Sequence, residues 1–242
     1  MIDWSIITDS LPQYASGLWL TAQLTVLSLV AGLILAIPLA VMRISPRRAV
    51  SGPVWVFTYF FRGTPMLVQL LLIYYGLGQF EWIQAQWQAG NAFWLIFREP
   101  YGCALVTFTL NTCAYTTEIL AGALRTTPHG EIEAAQACGM SRLTMLRRIL
   151  IPGALRRALP AYSNEAIFML HGTAIASTVT LMDLTGAARN AYSQHFAPFE
   201  AFIFAGLLYL TLTFALVGLF RLAERRYLAH LQPRKAIKGH TA

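Results

Sequence analysis

The sequence predicts an all-α, polytopic membrane protein, a single transmembrane domain of about five helices. Three observations predict it. Hydrophobic residues make up 56% of the 242 and charged ones 12%, about half the charged share of an ordinary soluble domain. The apolar residues gather into runs near the roughly 20 residues that a helix needs to cross a hydrocarbon core. The basic residues collect in alternate connections between those runs, the bias found in bacterial-type membranes.

The spans follow in order. The first, residues 18–42, contains no Asp, Glu, Lys, Arg or His. The second, 54–80, is interrupted by Arg62 and by Gly63-Thr64-Pro65. Pro65 lacks a backbone donor, so a kink is expected there, and the Arg62 charge is expected to snorkel toward the inner headgroups. The third span, 101–124, carries Glu118, and the fourth, 157–182, carries Glu165 and His171. The fifth covers 200–221. Each is read as a helix and not a barrel strand, because the apolar residues run on without alternating and lipid requires backbone groups to bond internally.

Fifteen of the 18 Lys and Arg residues lie between spans one and two, between three and four, or after five. Arg43, Arg47 and Arg48 occupy the first connection; Arg125, Arg142, Arg147, Arg148, Arg156 and Arg157 the second; Arg221, Arg225, Arg226, Arg234, Lys235 and Lys238 the tail. Arg98 and Arg189 fall on the other side. The expected arrangement is therefore an inner (cytoplasmic) membrane protein with its N-terminus periplasmic and its C-terminus cytoplasmic. The net charge of +7 is accounted for by these flanking loops, so no nucleic-acid partner is inferred. The segment before span one holds Asp3 and Asp9 but no basic residue, unlike a signal peptide; residues 2–14 suit a short interfacial helix. Cys103, Cys113 and Cys138 fall in spans or on the cytoplasmic side, which argues against a disulfide framework.

Outside the spans, 81–100 is rich in Trp and Phe, as befits a segment at headgroup level. The 125–157 loop is the most informative part of the chain. Residues 131–152 read EIEAAQACGMSRLTMLRRILIP, which divides into two short helices around Gly139. Glu131, Glu133, Ala134 and Ala135 favour the first, with acids at its N-terminus. Ser141 suits an N-cap for the second, which Pro152 and Gly153 are expected to end. A short helix projecting between two spans is a handle for a partner protein.

The order Glu133-Ala134-Ala135, three residues, Gly139, nine residues, Ile149, one residue, Ile151-Pro152 resembles the EAA loop of bacterial ABC importer permeases. The family usually has Leu where this chain has Ile151. The resemblance implies the type I permease fold. It also implies that the first short helix, with the Gly139-Met140-Ser141 turn, docks in a groove of an ATPase subunit, a helix-in-groove contact. No phosphate-binding loop is present, since such a loop needs Lys followed by Ser or Thr and Lys235 and Lys238 precede Ala and Gly. The chain is thus expected to be a transport protein and not an enzyme, with no cofactor or metal of its own. The resemblance further implies ATP and Mg on a pair of partner ATPase subunits, a second permease subunit, either a copy or a homologous chain, and a periplasmic amino-acid-binding protein.

Three further stretches are similar to the histidine and arginine/ornithine uptake permeases: Arg62-Gly63-Thr64-Pro65 with Val68-Gln69, Asn111-Thr112-Cys113-Ala114-Tyr115-Thr116-Thr117-Glu118, and Ala161-Tyr162-Ser163-Asn164-Glu165. The residues themselves point to a cationic substrate. A carboxylate inside a span costs a few kcal/mol and is functional by default. Glu165 shares a helix face with Met169, Gly172 and Ala176, small residues expected to leave room, so it is read as the partner of a substrate guanidinium or ammonium; a structural carboxylate paired with Arg62 is the alternative. Asn164 and Thr173 are candidate ligands for the substrate's amino and carboxyl groups. Asn111, Tyr115, Glu118 and Gly122 form a polar stripe that either lines the path or holds helices together. His171 is read as a hydrogen-bonded bundle residue. Asp183 either meets the binding protein or ends a helix. An ion-coupled secondary transporter, with Glu118 and Glu165 as coupling carboxylates, would need more spans or an internal repeat. An intramembrane hydrolase lacks the required pairing of His and nucleophile.

Overall fold

The structure, a computed structural model, describes residues 5–228. Asp3 and the tail cations Arg234, Lys235 and Lys238 lie outside them. Among the described residues the secondary structure is wholly helical.

Helix α1 (Ser5–Arg43) runs for 39 residues, about 58 Å at 1.5 Å per residue. The separate interfacial helix expected over 2–14 is, from Ser5 onward, the first part of α1 itself. Tertiary packing holds the extension in place: Ile7, Ser10 and Tyr14 are buried, and the Tyr14 hydroxyl donates to the Ala201 carbonyl at 2.9 Å. The second run is two helices, α2 (Arg48–Gly63) and α3 (Met66–Leu71), with the chain turning by 103° between them. It continues as a π turn, Leu72–Gly76, and a 3-10 turn, Leu77–Gln79. Short helices α4 (Glu81–Gln88) and α5 (Ala92–Leu95) then fold on each other, with Trp82 edge-on to Trp94 and the Trp87 indole N–H donating to the Trp94 carbonyl at 2.7 Å.

Helix α6 (Pro100–Arg125) is the centre of the bundle. It packs along α1 and also meets α2, α3 and α9. Protein, not lipid, covers most of it, which is why it can carry Thr107, Thr112, Thr116 and Thr117 fully buried. Helix α7 (His129–Ala137) follows, then α8 (Arg142–Met145), a π turn at Leu146–Leu150, and α9 (Ile151–Gly172). The second short helix was expected to stop at Pro152; instead the helical path runs on into the membrane-length segment. Pro152 stands in the first turn of α9, where a missing N–H is tolerated, and the wider turn just before it absorbs the register change.

After α9 the chain tightens into a 3-10 segment, Thr173–Val179, turns at Thr180 in the left-handed region, and enters α10 (Leu184–His195) and α11 (Pro198–Tyr227). Asp183 is fully buried and caps α10, accepting from the Thr185 and Gly186 amides and from the Tyr209 hydroxyl. Its oxygens are committed inside the bundle, so it offers no surface to a binding protein. His171 Nε2 lies 3.1 Å from the Thr213 hydroxyl of α11.

Helices α1 and α11 are each long and apolar enough to cross a membrane, and each of the two bent pairs, Arg48–Gly63 with Met66–Gln79 and Arg142–Val179 with Leu184–His195, adds one more if taken as a single span. Small residues dominate the seams: Ala36, Ala40, Cys113, Ala121, Ala154 and Ala158 in one cluster, Ala187, Ala188, Ala191, Ala201 and Ala205 in another. Such side chains let backbones approach closely where lipid gives no hydrophobic drive to associate.

Candidate functional site: a charged cavity at a broken helix

The break between α2 and α3 follows from local chemistry. Thr64 precedes a proline and is extended, with φ −116° and ψ 146°, as pre-proline residues prefer. Pro65 has no N–H, so the Phe61 carbonyl loses the donor a continuous helix would supply. An unpaired backbone carbonyl inside a membrane costs several kcal/mol. Two side chains replace the missing donor. Gln69 Nε2 donates to Phe61 O at 2.9 Å and Asn111 Nδ2 at 3.2 Å. Gln69 also bonds the Thr64 carbonyl and hydroxyl, and Asn111 donates to Gln69 Oε1 at 3.2 Å. The Thr64 hydroxyl donates in turn to Phe60 O at 2.8 Å. The break is thereby a fixed corner tied to α6.

Beside this corner lies a cavity of about 580 Å³, walled by residues 62–66, Asn111, Tyr115, Glu165, Phe168 and Met169. Glu165 comes from α9 and is 8% exposed. Arg62 comes from the end of α2, with its guanidinium carbon 5.2 Å from the centre of the Tyr115 ring. The Arg62 side chain lines the cavity beside that ring. Arg62 and Glu165 are not in ion-pair contact. Among the described residues the ion pair present is Arg43 to Glu118.

The polar stripe on α6 therefore divides. Asn111 and Tyr115 line the cavity, whereas Glu118 Oε1 accepts from Arg43 Nε at 2.6 Å and from the Thr58 hydroxyl at 2.8 Å, joining α1, α2 and α6. Asn164 is exposed and lies outside the lining. Thr173 is fully buried, and its hydroxyl donates to Leu170 O at 2.7 Å. The room expected around Gly172 is occupied: a Cβ there would run into Met66 Cε, so glycine permits α3 to close on α9. Gln69 was missed as a site residue. The sequence shows an amide four residues after a proline, but its burial and its partners come from the fold.

At the arginine-rich end, α7 ends in a Schellman motif. Gly139 has φ +72°, its amide bonds Gln136 O and the Met140 amide bonds Ala135 O, satisfying carbonyls that the helix leaves open. Ser141 caps α8, its hydroxyl accepting from the Thr144 amide at 3.3 Å. Glu131, Glu133 and Ala134 are exposed and Ala135 is buried. Arg157 of α9 donates to Ala123 O at the end of α6 and to the Thr127 hydroxyl at 2.6 Å, fixing the base of the loop to the bundle.

A helical bundle with membrane-length apolar helices, a sharp corner and a charged cavity beside it is shared with transport permeases, and the relatives of the chain are permeases too. The chain belongs to the family of inner membrane components of binding-protein-dependent transport systems, whose sequence profile matches residues 28–229. It is 50% identical over 218 residues to the histidine/lysine/arginine/ornithine transport system permease protein HisM of Escherichia coli K12, covering 90% of each chain. It is 46% identical to the octopine transport system permease protein OccM of Rhizobium meliloti, over 86% of this chain and 83% of that one. Among solved structures it resembles an amino acid ABC transporter crystallised with histidines, at a TM-score of 0.79 and 30% identity, covering 93% of this chain and 99% of the other.

Proposed function

We propose that this chain is the permease subunit of an ATP-driven importer that carries basic amino acids, arginine, ornithine, histidine or lysine, from a periplasmic binding protein into the cytoplasm. The observation that carries this reading is Glu165, a buried carboxylate opening onto a cavity of about 580 Å³ with no ion-pair partner in the described residues. An unpaired acid at membrane depth is retained where it meets a cation. The names of the relatives support the same substrate class.

In this reading the chain crosses the inner membrane about five times, N-terminus periplasmic and C-terminus cytoplasmic. Glu131, Glu133, Ala134, Ala135, Gly139, Met140 and Ser141 form the docking turn for one of two ATPase subunits, where ATP and Mg are bound. A second, homologous permease completes the path and faces this cavity. Glu165→Gln in the reconstituted system tests the substrate assignment. The expected result is uptake of arginine reduced by about tenfold or more, with uptake of a neutral amino acid maintained. An unchanged preference for arginine over the neutral substrate refutes it.

A further inference from the structure

We infer that Arg62 is the receptor for the substrate's α-carboxylate, so that the cavity recognises a cationic amino acid by two opposite charges carried on different helices. This rests on the reading of the cavity as the substrate site and adds a specificity determinant to it.

Among the residues that line the cavity, Arg62 and Glu165 are the two charged ones, carried by different helices, α2 and α9. Arg62 makes no ion pair and no side-chain hydrogen bond within the described residues; its guanidinium is placed by the face of Tyr115 at 5.2 Å. Stacking on a ring leaves the in-plane N–H groups free, and that planar fork matches a carboxylate in two parallel hydrogen bonds. Asn111 fits the third group of an amino acid. Both of its amide hydrogens are used, on Phe61 O and Gln69 Oε1, which fixes Oδ1 as an acceptor for an α-ammonium.

Charge balance gives the reason for such a residue in a site for cations. A ligand with cationic groups alone would place its charge beside a guanidinium that has no ion-pair partner in the described residues, and like charges repel. An α-carboxylate removes that penalty. The cavity then admits amino acids with cationic side chains and rejects the corresponding amines, a discrimination that Glu165 alone does not supply.

The test uses the whole complex, both permeases with the ATPase, purified without the binding protein so that upstream selection is absent. Binding of labelled L-arginine is competed with L-arginine, with agmatine, which lacks the α-carboxylate, and with L-citrulline, which lacks the side-chain charge. In the native complex agmatine is expected to bind about tenfold or more weakly than arginine. Arg62→Gln is expected to weaken arginine by about tenfold while leaving agmatine within about twofold, and Arg62→Lys to restore part of the loss. Equal weakening of arginine and agmatine by Arg62→Gln marks a merely structural arginine and overturns the inference, as does unchanged arginine binding. If Arg62→Gln does not assemble, equal native affinities for arginine and agmatine, or no arginine binding, overturn it. Glu165→Gln in the same assay reads the parent assignment separately: a retained preference for arginine over citrulline defeats the role of Glu165 without touching that of Arg62.

Discussion

Arg43 Nε stands 2.6 Å from Glu118 Oε1, and the same oxygen accepts the Thr58 hydroxyl at 2.8 Å. One carboxylate oxygen thus fastens α1, α2 and α6 where the bundle meets its arginine-rich end. Both partners are about one-fifth exposed, 19% and 18%, so the pair is partly shielded from water and from salt. Removing the cation leaves a half-buried charge, and hydrogen bonds to charged groups are worth about 1.5–3 kcal/mol.

Arg43→Ala is accordingly expected to lower stability by roughly 2 kcal/mol, read as a fall in the thermal unfolding temperature of the purified complex. Glu118→Gln should cost less, because the amide oxygen still accepts from both donors. If Glu118 lined the substrate path instead, Glu118→Gln would change cation selectivity with unfolding unaltered.

Gln69 and the Phe61 carbonyl give a second prediction. Gln69→Leu keeps the size and removes both donors, leaving Phe61 O with Asn111 alone and the Thr64 carbonyl and hydroxyl without their amide partner. The expected cost is about 1–3 kcal/mol for the buried acceptors. The corner between α2 and α3 should loosen at the same time. Trypsin or cysteine-labelling access at residues 62–66 measures that, and access equal to wild type contradicts it.

The apolar helices α1 and α11 and the α7 turn were legible in the sequence because both are local: continuous apolar runs reveal the first, and acids, Gly139 and Ser141 reveal the second. The corner at Pro65 was legible only as a kink. Its true angle depends on Gln69 and Asn111 supplying donors across the fold, a long-range fact that spacing within one span does not contain. The same holds for Glu118, whose partner Arg43 is 75 residues away, and for the extension of α1, set by Tyr14 reaching Ala201. Glu165, which lines the cavity, was singled out because an acid in an apolar run is conspicuous by itself. The contact of Arg62 with Tyr115 was not legible, because the ring lies on another helix, 53 residues along the chain.

Gly172 and Met66 provide a paired test. A Cβ at 172 would run into Met66 Cε, but that atom is the far end of a flexible chain. Gly172→Ala should therefore cost only about 1 kcal/mol, whereas Gly172→Val should cost about 1–3 kcal/mol through overpacking against α3. Met66→Ala combined with Gly172→Val should recover part of the loss, since the inserted methyls then fill the space the methionine vacates. A double variant no more stable than the sum of the single effects would show that the two helices do not meet there.

Gly139 isolates the coupling step from transport chemistry. Its φ of +72° lies in the left-handed region, and a Cβ added there meets nothing within 4 Å. The cost of Gly139→Ala is then backbone strain alone, about 1 kcal/mol, spent at the turn that fixes Met140 and Ser141 relative to α7. If α7 is the ATPase handle, Gly139→Ala should leave arginine binding to the cavity unchanged while lowering ATP-dependent uptake by several-fold. Gly139→Asn, which tolerates the left-handed conformation better, should restore most of it. Measuring substrate-stimulated ATPase activity alongside uptake separates the cases: a loss of binding together with uptake would place the defect in the bundle, and unaltered uptake in Gly139→Ala would mean that the geometry of this turn carries no force between the subunits.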